Sequence, residues 1–387
     1  MRARATYVTP SADPRLRDSP SHSIVVVGSL ERRTWSRLRL RPLGSGLAHG
    51  RLALPGEKGD HENVDRREFL AGAAGLAASL ALPSPPAAAP RLGNADLVRL
   101  QESVASLYKM GRQHGSAGAV YPLAVRTFQR LRDLTERARY DAATGREMRE
   151  LIAQTAGNAG SMAFDAGQHD DARRWWIEAT HWARLAEAEA FGAIAMASLA
   201  RQASDQRRPR ETINLARAAQ RTAGRAATPR LTSLLLAREA LGHAGAGDAT
   251  SAHTALRSAR DLADLPRPYD DPVWLHFYGP ADFASHEYRI ALMLGDDTAG
   301  EAAARDGLAL SDPIAYPRNY ALDLIQLADV LAQRRKIDES AAVALQAATA
   351  AADLDSRRVT RGLHGVARRL TPYRDEPAVG EFLARVA

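Results

Sequence analysis

The chain of 387 residues carries eleven histidines and no cysteine. The absence of cysteine removes disulfides, thiol nucleophiles, iron–sulfur clusters and cysteine-ligated zinc together. The histidines do not fill the gap. His286-Glu287 lacks the second histidine, three residues on, that a zinc-protease helix needs, and no histidine pair has ligand spacing with carboxylates beside it. Gly44-Ser45-Gly46 lacks the lysine and the preceding strand of a phosphate loop. No Gly-x-Ser-x-Gly elbow occurs. Asp170/Asp171 and Asp296/Asp297 resemble paired acids, but both fall where helices should begin, where carboxylates cap free amides and meet the positive dipole end. The expectation is a protein with no catalytic residue, no metal and no cofactor, and so not an enzyme.

What remains is binding chemistry. Trp274, Phe277 and Tyr278 cluster just before Gly279-Pro280, with His286 further along the next helix. They can be packing that seats a long loop, or the wall of a groove, since aromatic side chains dominate binding hot spots. Asn158 and Asn319 each offer a donor and an acceptor, as a peptide backbone requires. Asn158, Trp274, Tyr278, His286 and Asn319 are therefore the candidate partner-binding residues. Trp175 and Trp182, seven apart on one helix, share a face expected to be core. Trp176 is turned about 100° from it and is expected to face outward.

These residues are positioned by a repeat. Small residues seven apart recur as Ala172/Ala179, Thr212/Ala219, Ala252/Ala259, Gly300/Gly307 and Ser340/Ala347, with first members 40, 40, 48 and 40 residues apart. The long interval contains the proline-rich stretch 265–272. Five residues before each anchor stand Gly167, Arg207, Gly247, Gly295 and Arg335, where the first helix must stop. Twelve before stand Gly160, Ala200, Ala240, Tyr288 and Ala328, mostly small, as close helix contact requires. The pattern predicts an all-α, tetratricopeptide-like α-solenoid of antiparallel helical hairpins over 94–387, with a period of about 40 residues. Asn94 should cap the first helix, a second should span 119–140, and helices near 358–370 and 377–386 should close the array.

The segment 1–63 shows no sustained period and is broken by five prolines, so it reads as disordered. It carries eleven basic and six acidic residues, while the rest holds 41 and 39. The repeat region is nearly neutral and offers no electrostatic case for nucleic acid. The purine-rich coding implied by Gly56–Gly59 leaves open a start at Val64, with 1–63 untranslated. Between Val64 and residue 93 lie Arg66-Arg67, Phe69-Leu70, fourteen weakly apolar residues ending at Leu82, and a Pro/Ala linker. Arg66, Arg67, Phe69 and Leu70 form a twin-arginine-like motif. The run is too short to span a membrane. Translation from Val64 would make the motif an export signal; translation from Met1 would make it a linker.

Four stretches carry a family likeness: Val64–Leu70, Asn158–Ala172, Trp274–His286 and Leu370–Val379. Together they resemble the repeat half of actinobacterial regulators that join an Xre-type helix-turn-helix to tetratricopeptide-like repeats. No helix-turn-helix is recognisable before Val64. The resemblance implies a cytoplasmic regulatory or scaffold module, derived from a transcriptional regulator, binding a protein or peptide in its concave groove and not nucleic acid. The alternative is a repeat protein exported by the twin-arginine route.

Overall fold

The computed structural model describes residues 91–113, 120–265 and 271–387. The basic segment 1–63 and the motif residues Arg66, Arg67, Phe69 and Leu70 lie outside them. Fourteen α-helices occur among the described residues. Helices α1 (Asn94–Gln113) and α2 (Val120–Arg137) open the array. Five hairpins follow: α3 (Ala142–Asp165) with α4 (His169–Leu185), α5 (Glu189–Asp205) with α6 (Pro209–Ala223), α7 (Pro229–Gly245) with α8 (Ala249–Ala263), α9 (Pro280–Met293) with α10 (Asp297–Leu310), and α11 (Pro317–Gln333) with α12 (Ile337–Ala350). Helices α13 (Arg357–Leu370) and α14 (Pro377–Val386) close it. The described residues contain no sheet; one bridge joins Arg91 to Arg139. The chain is an α-solenoid of tetratricopeptide-like hairpins. Its first helix begins at Asn94, so the capping position falls one residue earlier, on Gly93, whose carbonyl accepts from the Leu97 amide.

The repeat is built by the residues that define it in sequence. All ten anchors are buried on the second helices. Small side chains there let paired helices approach closely. Each stop residue adopts a left-handed backbone: Gly167, Gly247 and Gly295 at φ 75°, 78° and 80°, and Arg207 and Arg335 at 56° and 59°. In each turn the next residue's amide returns to a carbonyl in the last helical turn, as from Gln168 to Ala163 (2.8 Å), Arg208 to Ala203 (2.8 Å) and Lys336 to Leu331 (2.9 Å). This is the Schellman closure, which satisfies the orphan carbonyls and reverses the chain. At Arg207 and Arg335 the hydrogen bonds hold a conformation that glycine would adopt more cheaply.

One expectation is reversed. Trp176, not Trp175 or Trp182, is the buried tryptophan of α4, at 3% exposure. It continues the stripe Ala172, Ala179, Ala183 at helical spacing. Gly160 of α3 makes room for its ring: a Cβ there would lie 2.6 Å from Trp176 Cδ1 and Nε1. Trp175 and Trp182 are half-buried at the rim of that stripe. Trp175 stacks edge-on against Phe128 at 5.0 Å and donates to Tyr121 Oη at 2.9 Å, tying α4 to α2.

The array curves back on itself. Helix α1 touches α11, and Asp165 at the end of α3 faces Arg318 of α11 and Arg358 of α13. The first helices of the repeats thereby surround a shared interior.

Candidate functional site: the concave interior

A cavity of about 170 Å³ opens among Asn158 and Phe164 of α3, Phe191 and Arg201 of α5, Arg238 of α7, Trp274, Asn319 of α11 and Arg358 of α13. Two neighbouring cavities of about 260 and 250 Å³ share Arg201, Asp282 and Arg358 with it. Together they reach the size class of pockets for a peptide segment or small ligand, far below a folded domain.

The repeat supplies a polar ladder along this surface. Fourteen residues before each anchor stand Asn158, Ser198, Arg238, His286 and Gln326, and all five line the cavities. The position is one face of each first helix, and the superhelix turns it inward. Asn158 and Asn319 border the same cavity, and among the described residues neither amide side chain has a protein hydrogen-bond partner. Their donors and acceptors face the cavity half-buried.

The aromatic side chains divide. Trp274 lines the cavity and meets Phe191 edge-on at 5.3 Å. Phe191 leans in turn on Gly157, where a Cβ would sit 3.0 Å from its Cζ. Tyr278 instead is core, at 2% exposure. Its hydroxyl lies 3.1 Å from Ser233 Oγ, which itself donates to the Ala259 carbonyl at 2.7 Å. Arg230 of α7 donates to the Tyr278 and His276 carbonyls and pairs with Asp271 at 3.6 Å, seating the inter-repeat segment on α7.

His286 is also enclosed, at 5% exposure. Its Nδ1–H donates to the Asp282 carbonyl at 2.6 Å, which leaves Nε2 to accept from Arg238 Nη1 at 2.7 Å. Burial, and then the Arg238 charge, hold its pKa well below the usual imidazole value, so the ring is neutral and fixed in one tautomer. Its place in the ladder is to orient Arg238.

The interior is rich in charge. Arg318 and Arg358 approach Asp165 at 3.7 and 4.0 Å, and Asp165 is 1% exposed. Arg289 pairs with Asp205. Burial alone would raise the Asp205 pKa, but Arg289 and Arg201 hold it below its ordinary value. Burial pushes Asp282 up to about 6 against the pull of Arg201 and Arg238. It pushes Asp323, which accepts from Ser311, up to about 7. Enclosure and neighbouring guanidiniums pull Arg238 down to about 9; it remains a cation at neutral pH. The arginines were not singled out by sequence, because they come from α5, α7, α9, α11 and α13 and form a group only when the array curves.

Among the described residues no cluster of three or more His, Asp or Glu side chains could hold a metal ion, and no helix is long and apolar enough to cross a membrane. No family model matches the chain, and no curated protein does either. Among solved structures it is similar to a Rap protein complexed with competence and sporulation factor, at a TM-score of 0.45 and 13% identity, over 75% of this chain and 97% of that one.

Proposed function

We propose that the chain is a non-enzymatic regulatory or scaffold protein that holds a short peptide segment of its partner in the concave interior. The observation that supports this most is the pair Asn158 and Asn319, two half-buried amides with no protein partner that line one cavity from α3 and α11. An extended backbone offers alternating donors and acceptors that such amides can pair. Trp274 and Phe191 provide an apolar wall for a side chain. The test is selection of a random hexapeptide library on the full chain, followed by titration of the retained peptides. Failure to retain any hexapeptide above an unrelated helical protein contradicts the reading.

Descent from a regulator with a helix-turn-helix rests on the four family-like stretches. A second reading, export through the twin-arginine route, is favoured by Arg66-Arg67 and Phe69-Leu70. Mass spectrometry of the native N-terminus decides between them. A chain starting near Pro90 in the medium means export; a cytoplasmic chain retaining Arg66-Arg67 means linker.

A further inference from the structure

The interior holds more positive charge than its carboxylates neutralise. Asp165 is shared by Arg318 and Arg358, and Asp205 is taken by Arg289. Among the described residues, Arg201 and Arg238 have no carboxylate oxygen within ion-pair distance, and the buried Nε of each has no acceptor. Arg238 is 6% exposed, and its one side-chain hydrogen bond goes to a neutral imidazole. Asp205, already paired with Arg289, and Asp282 act on both guanidiniums through charge alone, without an ion pair. A buried guanidinium without a counter-ion is costly unless an anion completes it.

The guanidiniums are also pre-aimed. The Phe164 ring carries Arg201 at 5.4 Å and Arg358 at 5.6 Å from its centroid, which holds two planar forks from α5 and α13 beside one cavity. Arg238 is fixed from behind by His286. All three line the cavity that Asn158, Asn319 and Trp274 also line. Planar forks in a desolvated site bind a carboxylate through paired, charge-assisted hydrogen bonds.

We propose that this cavity contains an oxyanion subsite formed by Arg201, Arg238 and Arg358, taking a carboxylate of the bound peptide, from an acidic side chain or from the free C-terminus. The subsite deepens the peptide-binding reading and rests on it for the source of the anion. Asp165, Asp205, Asp282 and Asp323 keep the interior from being a general anion sink, so the incoming group must reach the three forks themselves.

The test uses the full chain and its Arg201→Gln, Arg238→Gln and Arg201→Lys variants, with circular dichroism to establish folding. Random hexapeptides with free and amidated C-termini are one probe. Citrate and phosphate, compared with chloride at equal ionic strength, are the other, read as a shift in melting temperature. The expected result is retention of acidic or free-carboxyl hexapeptides, at least tenfold weaker binding when the carboxylate is neutralised, and loss of that discrimination in Arg201→Gln. Arg201→Lys keeps the charge without the fork and should recover only part of it. Should Arg238→Gln fail to fold, the two Arg201 variants carry the test. Stabilisation by citrate or phosphate in the parent and not in the variants, with no peptide retained, leaves the oxyanion subsite standing with a small free anion as its occupant and removes the peptide. Peptides retained without preference for acid, and bound equally by the variants, overturn the subsite and leave the peptide groove intact. No response to anions or peptides overturns both.

Discussion

Asp165, at the end of the first repeat's α3, faces Arg318, in the first turn of the fifth repeat's α11, at 3.7 Å across the interior. Three hairpins separate them along the array. The pair therefore reports superhelical closure rather than local packing. A buried ion pair need not stabilise a protein relative to an apolar pair, but removing one partner strands the other charge. Asp165→Asn leaves Arg318 and Arg358 facing a neutral amide. Urea unfolding should show a loss of about 3 kcal/mol, with amide exchange rising first in α11 and α13. A loss below about 0.5 kcal/mol would mean that closure does not depend on Asp165.

Asp323 gives a pH dependence with a definite sign. Its folded pKa, about 7, lies above the value of 3.8 for an unperturbed carboxyl. Between the two, the folded state binds more protons than the unfolded state. Its contribution to stability is therefore largest near pH 4, declines as pH rises, and levels off above pH 7. Asp282, with a folded value of about 6, acts in the same direction, while His286, held low, acts in the opposite one below its ordinary value of 6.5. The Asp323 part is isolated by difference. Asp323→Asn should gain on the parent by roughly 1–3 kcal/mol between pH 4 and pH 7, measured by urea unfolding at each pH. A constant difference across that range would show that Asp323 titrates normally.

The two aromatic residues that flank the inter-repeat turn should separate on substitution. Trp274 borders the cavity, and Tyr278 is core. Trp274→Ala should weaken peptide binding by about 2 kcal/mol or more if it is an anchor, with the helices intact by circular dichroism. Tyr278→Ala should cost about 3 kcal/mol of stability through the cavity it leaves. The reverse pattern, in which Trp274→Ala unfolds the chain and Tyr278→Ala only weakens binding, would reassign both.

The repeat was legible because its physics is local. A helix stop needs a left-handed residue and a helix contact needs a small one, so Gly167, Arg207, Gly247, Gly295 and Arg335, and the anchors five residues after them, mark every hairpin. Trp176 was misplaced because helical phase alone does not say which face a neighbour accepts. That was decided by Gly160 on another helix. Asn158, Trp274 and Asn319 share one cavity, whereas Tyr278 is core and His286 borders only the neighbouring cavity, its ring spent on Arg238 and the Asp282 carbonyl. The arginine group was hidden by distance along the chain. The one periodic trace of it was the polar residue fourteen positions before each anchor, of which Arg238 is the third.

The twin-arginine-like motif makes a separate prediction about the mature chain. If Arg66-Arg67 directs export, Arg66→Lys/Arg67→Lys should abolish the extracellular form and leave the repeat domain's melting temperature unchanged. A chain that remains intracellular in both forms would limit the motif to a linker.

The central claim, a peptide held by the concave amides, is met most directly by titrating a library-selected hexapeptide against the parent chain and against Asn158→Ala/Asn319→Ala. Each lost amide should remove about 1 kcal/mol of hydrogen bonding, so the double variant should bind roughly 30-fold more weakly while melting at the same temperature. Equal affinity in the two proteins would place the peptide elsewhere and contradict a groove built on Asn158 and Asn319.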